Sequence, residues 1–180
     1  MTKLVYRFVV FPFVALAVEI AFAISCAFRP ISSLVAHFRW YLLAGIASRR
    51  LRWGAISSAT NYARELLAQA SSFPDDWNYG NAIHKGNILL GLIALKNRQI
   101  TEAKEYLLKA GSTPGSPQLD TFGPNMALAK ELLLAGETET VLKYFELCSK
   151  FWDADFGQLS HWTSAIRRGQ VPNFGANLIY

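Results

Sequence analysis

Three stretches of this chain, NYARELLAQA (61–70), TEAKEYLLKA (101–110) and TVLKYFELCS (140–149), repeat one pattern. Aligned on Ala63, Ala103 and Val141, the positions i, i+3, i+4 and i+7 read Ala63/Leu66/Leu67/Ala70, Ala103/Tyr106/Leu107/Ala110 and Val141/Tyr144/Phe145/Cys148. Each set is the single apolar stripe of an amphipathic helix. A second helical pattern precedes two of them: GNILLGLIALKNR ends at Arg98 and NMALAKELLLAG at Gly136. Two antiparallel helices per unit, recurring every 40 and then 38 residues in this alignment, predict an all-α chain built as a short alpha-solenoid. Such units cannot bury their apolar faces alone and must stack.

The repeats resemble the tetratricopeptide repeat (TPR) family. In 84–117 the family's positions fall on Leu90, Gly91, Ala94, Ala103, Leu107, Ala110 and, one place early, Pro114, and in 122–155 on Leu128, Ala129, Leu132, Gly136, Phe145 and Cys148. The first unit matches in its second helix alone, through Ala63, Leu67, Ala70 and Pro74; its first helix puts Arg50 and Leu51 where Leu-Gly is expected. The family's early Trp and Tyr are replaced by Asn87 and Ala94, then by Asn125 and Leu132. The resemblance implies a partner-binding groove lined by first helices, at Lys85, Ile88, Leu92 and Lys96, then Met126, Lys130 and Leu133.

The front of the chain has a different composition. Residues 8–28, FVVFPFVALAVEIAFAISCAF, carry one acidic side chain, Glu19, and no basic one. As a helix they span roughly 31 Å, enough for the hydrocarbon core. Their Phe, Val, Leu and Ile residues favour insertion by roughly 4 to 7 kcal/mol, against about 3 for one central acid. The expected fold is therefore an N-terminal transmembrane helix followed by a short alpha-solenoid of TPR-like helix pairs. Its expected organisation is an anchor over 1–30, an interfacial amphipathic helix over 31–53, repeats over 54–155, and a capping helix with a tail over 156–180. A second span is the alternative for 31–48, where Ile31, Leu34, Val35, Phe38 and Leu42 share a face. In the anchor, Ala15, Glu19, Ala23 and Ala27 form a small-residue stripe with one acid, the pattern of contact with a partner helix; a protonated Glu19 bonded to headgroups is the bland alternative.

Residues 1–52 hold seven of the 18 Lys/Arg and only Glu19 of the 13 Asp/Glu; the remainder is left with eleven against twelve, close to neutral. A near-neutral domain argues against nucleic acid as the partner of a chain whose net charge is +5. The cluster Arg49, Arg50 and Arg52 reads as headgroup-facing, and by the positive-inside rule it places the C-terminal domain in the cytoplasm.

Little points to chemistry. His37, His84 and His161 lack metal-ligand spacing and are expected at helix surfaces or interfaces. Asp75/Asp76 and Asp153/Asp155 stand where carboxylates cap helices. Cys26 and Cys148 suggest no disulfide framework. No catalytic, metal or cofactor residue is assigned, and no small-molecule substrate is expected. In the segment FGQLSHWTSAIRRG, Leu159, Trp162 and Ile166 suit a terminal helix that covers the last repeat, and Phe174, Leu178 and Tyr180 either pack back or dock a neighbour. The expected function is a membrane-anchored, non-catalytic protein-interaction module, an accessory or structural subunit of a membrane complex with its repeats on the cytoplasmic face. The alternative is a lipidated or periplasm-facing envelope assembly protein with Cys26 at its N-terminus.

Overall fold

A computed structural model of the chain describes residues 33–179. Contacts divide the chain into one unit ending at Arg39 and another from Trp40 onward. The described residues are helical without strands: α1 (33–52), α2 (Ile56–Ala70), α3 (Tyr79–Lys96), α4 (Ile100–Gly111), α5 (Pro117–Phe122), α6 (Ala127–Leu134), α7 (Thr138–Cys148), α8 (Gln158–Arg167) and a 3-10 turn at Gly175–Leu178.

One turn recurs at the ends of four helices. After α1, Gly54 takes φ 76, its N–H donates to Leu51 O (3.1 Å), and the N–H of Ala55 donates to Arg50 O (2.9 Å). After α3 the same bonds run from Arg98 to Leu95 O and from Gln99 to Ala94 O, with Arg98 at φ 62. After α6 they run from Gly136 to Leu133 O and from Glu137 to Leu132 O, with Gly136 at φ 84. After α8 they run from Gly169 and Gln170, to Ile166 O and Ala165 O. This is the Schellman arrangement, which satisfies the last free carbonyls of a helix and reverses the chain.

These turns set a repeat register that differs from the sequence alignment. Five residues beyond the first three of these αL residues lie Ala59, Ala103 and Val141, all buried. Ala59, not Ala63, is therefore the partner of Ala103, and Tyr62, Tyr106 and Tyr144 come into line. Seven residues before each turn stand Ala47, Gly91 and Ala129, so the first unit does have a first helix, with Ile46-Ala47 at the Leu-Gly place rather than Arg50-Leu51.

That first helix is α1. Its stripe Trp40, Leu43, Ala47 and Leu51 is buried, with Trp40 among Leu66, Ala70 and Ala82, and Ala47 and Leu51 among Ala59, Ala63 and Leu90. The Trp40 indole N–H donates to Leu66 O at 3.1 Å. Across the expected boundary at residue 53, α1 and α2 pack as a helix pair. In the described part of 31–48, the alternative second span, no helix is long and apolar enough to cross a membrane, and Trp40, Leu43 and Ala47 are buried against the rest of the domain.

The expected fold class needs a further correction. Among the described residues no helix is long and apolar enough to cross a membrane, so the transmembrane helix drops out of the fold class and an all-helical, repeat-like chain remains. Residues 8–28 lie outside the described residues.

The pairs stack through α2 on α3, α4 on α6 and α7, and α7 on α8. Gly91 permits one close approach: a Cβ there would stand 2.2 Å from Leu128 Cδ2. The expected linker 111–125 contains α5, whose Ser116 accepts from Leu119 N–H at 3.0 Å while Pro117 opens the helix. The terminal helix buries Leu159, Trp162 and Ile166, and Phe174 of the tail is buried with its ring 5.0 Å from that of Trp162. The tail then crosses to the start of α6, where Met126 N–H donates to Asn177 O at 2.7 Å.

Candidate docking site

One turn of α3 after another places Asn81, Lys85, Ile88, Leu92 and Lys96 along a single side, and α1 sets Tyr41, Ala44, Ser48 and Arg52 beside them in the same register. Between these rows runs a trough made of three adjoining cavities. The first, about 330 Å³, is bounded by Tyr41, Trp77, Asn78, Asn81, Lys85 and Gln118. The second, about 440 Å³, lies among Ser48, Arg49, Arg52, Ile88, Leu92 and the tail residues Leu178 and Ile179, and shares Ala44, Lys85 and Asn125 with the first. The third, about 540 Å³, joins it through Leu51, Arg52 and Leu92 and ends at Lys96 and Glu131.

Of the groove residues implied by the family resemblance, Lys85, Ile88, Leu92 and Lys96 line this trough. Met126 does not: it is fully buried, and Ala127 and Glu131 stand for α6 instead. Lys130 and Leu133 are absent from the lining, and Leu133 packs against the core. Arg49 and Arg52, expected to face lipid, line the trough, whereas Arg50 is exposed away from it. Ala15, Glu19, Ala23 and Ala27 lie outside the described residues. Tyr41, Ser48, Trp77, Asn78 and Gln118 join the lining beyond the expected residues; for Tyr41 and Ser48 the Gly54 turn is the available signal, since it pairs Tyr41 with Lys85 and Ser48 with Leu92.

Behind the trough stands His84, buried at the interface between helices, one of the two places expected for it. Its Nδ1–H donates to Ala110 O at 3.1 Å, and its Nε2 accepts from Asn125 N–H at 3.0 Å. Both nitrogens of a neutral ring are thereby used, and burial lowers its pKa to about 4. The same ring holds α3, α4 and the start of α6 together. Lys85, the next residue, is also pushed below the ordinary lysine value, first by burial and then by the Arg52 guanidinium.

The other candidates for chemistry are placed as follows. Cys148 is buried, and burial pushes its thiol well above the usual range, away from the nucleophilic thiolate. Asp155 accepts from Gly157 and Leu159 N–H at the start of α8, a capping role. Asp76 accepts from Asn78 N–H and from the Tyr41 hydroxyl, each at 2.7 Å. His161 is exposed on α8, and among the described residues no group of three or more His, Cys, Asp and Glu could hold a metal ion. On the described end of the first unit, Leu34, Val35 and Phe38 are 69, 61 and 65% exposed.

No family model, no curated protein and no solved structure matches the chain.

Proposed function

We propose that this chain is a non-catalytic protein-interaction module that docks an extended segment of a partner along the α1/α3 trough, and that it serves as an accessory subunit of a larger assembly. The observation that carries this reading is the continuity of the trough. Three cavities share walls from Tyr41 to Arg52 of α1 and from Asn81 to Lys96 of α3, and their lining mixes apolar floor, amides and cations. Recognition sites for chains are built in this way, with apolar seats for side chains and a few placed polar groups that fix orientation.

Arg52 and Lys96 are exposed and stand at matching places on α1 and α3. The double substitution Arg52→Glu and Lys96→Glu reverses the charge of the trough without disturbing the core. Affinity purification of the full chain should recover a stoichiometric partner that is lost from this variant and retained by Glu105→Lys on the exposed outer side of α4. Equal recovery by both variants would refute docking in the trough.

A second contact is favoured by one observation, the exposed Leu34, Val35 and Phe38 close to an arginine-rich sequence. Apolar side chains on one helix face, with basic residues nearby, suit the surface of an anionic bilayer. Co-sedimentation of the full chain with phosphatidylglycerol vesicles should fall when Leu34 and Phe38 are both changed to Asp, and unchanged co-sedimentation would remove these residues from the contact.

A further inference from the structure

The charge of the trough names the partner's chemistry, on the premise that the trough docks a partner segment. Its charged side chains are Arg49, Arg52, Lys85 and Lys96, against Glu131 alone. Lys85 occupies the middle, where the first and second cavities meet, and makes no ion pair among the described residues. A half-buried ammonium beside a guanidinium gains most from an incoming carboxylate, which supplies the countercharge that burial has denied it.

The first cavity adds a shape requirement. Tyr41 and Trp77 form an aromatic wall, their ring centroids 5.8 Å apart and inclined at 40°, and Trp77 is 56% exposed. Asn78 and Gln118 each give their amide oxygen to Asn81 Nδ2 at 3.1 Å, so their NH₂ groups remain as donors on the rim. Asp76, the carboxylate nearest this wall in sequence, is engaged by the Tyr41 hydroxyl. An aromatic wall, amide donors and a cation at the inner end suit an aromatic ring carried next to an acid.

We propose that the trough binds an acidic protein segment, one aromatic side chain of which enters the cavity between Tyr41 and Trp77 while a neighbouring carboxylate pairs with Lys85 and Arg52. The amides along the rim meet the backbone of the segment, and Ile88 and Leu92 seat an apolar side chain further along.

The test uses the full chain and three fluorescein-labelled ten-residue peptides, read by fluorescence anisotropy. The first is rich in Asp and Glu with one Phe and one Leu, the second replaces the acids by Asn and Gln, and the third replaces Phe by Ala. The first should bind at least ten-fold more tightly than either other and weaken as salt rises. Lys85→Gln should abolish the preference for acids but keep that for Phe, and Trp77→Ala, at an exposed site, should do the reverse. If the neutral peptide binds as well as the acidic one, or Lys85→Gln leaves the preference intact, the inference is overturned while docking in the trough stands. If none of the three binds, docking of a peptide segment there fails as well. Binding of phosphatidylserine vesicles that is lost in Lys85→Gln, with no peptide bound, would assign the cations to lipid headgroups and likewise overturn it.

Discussion

His84 carries one of the larger single-residue consequences in the fold. Its two hydrogen bonds require the neutral ring, because the nitrogen that faces Asn125 N–H cannot also carry a proton. Its pKa is about 4 in the fold, against about 6.5 unfolded. Between those values the unfolded chain binds a proton that the fold refuses, so stability falls as pH falls through this window. Urea unfolding between pH 7 and pH 4.5 should show wild type losing about 2–3 kcal/mol more than His84→Gln; equal losses would mean that the ring is not held neutral. Gly91 offers a steric counterpart. Since a Cβ at this position would meet Leu128 at 2.2 Å and Tyr106 Cβ at 3.2 Å, Gly91→Val should cost about 1–3 kcal/mol by overpacking. A change within experimental error would show that α3 and α6 are not in close contact.

Among the elements, α1 departs most from expectation, and the reason is geometric. A helix slipped by four residues presents nearly the same face, so Ala63 and Ala59 serve equally well as partners of Ala103 when apolar spacing is the only guide. The slip puts the first helix on Arg50 and Leu51 and leaves α1, rich in exposed apolar side chains, with the pattern of an interfacial segment. The turns break this degeneracy, because the Schellman turn occurs once per pair, between its two helices. Gly54 and Gly136 are visible in the sequence as turn residues, but Arg98 is not, which hid the regularity. If α1 belongs to the domain, Trp40→Ala should cost about 3–5 kcal/mol in urea unfolding, through lost packing and the lost bond to Leu66 O; no effect would detach α1 from the fold. At the turns, Arg98→Gly should stabilise and Gly136→Ala destabilise, each by about 1 kcal/mol, because an L side chain at φ 62 or 84 is strained. Equal stability in both variants would contradict the αL assignment.

For the whole molecule, amphipathic spacing made the stacked pairs legible, along with the buried stripes of α2, α4, α7 and α8. The trough was half legible. Lys85, Ile88, Leu92 and Lys96 follow from their place on a first helix, whereas Arg49, Arg52 and Tyr41 reach it only because α1 pairs with α2 and lies beside α3, and Trp77 comes from the loop before α3 to meet Tyr41. Met126 was misplaced because the tail, through Asn177, covers the start of α6 and closes that end; such a long-range return leaves no local trace in a sequence. The account rests on the trough as the place where a partner docks. Its most direct test is site-specific photo-crosslinking, with benzoylphenylalanine placed at Leu92 in the trough and, in a parallel sample, at Glu105 on the exposed side of α4. The account predicts a discrete adduct from position 92 that is lost when Arg52→Glu is added, and none from position 105. Adducts of equal yield from both positions, or an adduct at 92 indifferent to Arg52→Glu, would contradict it.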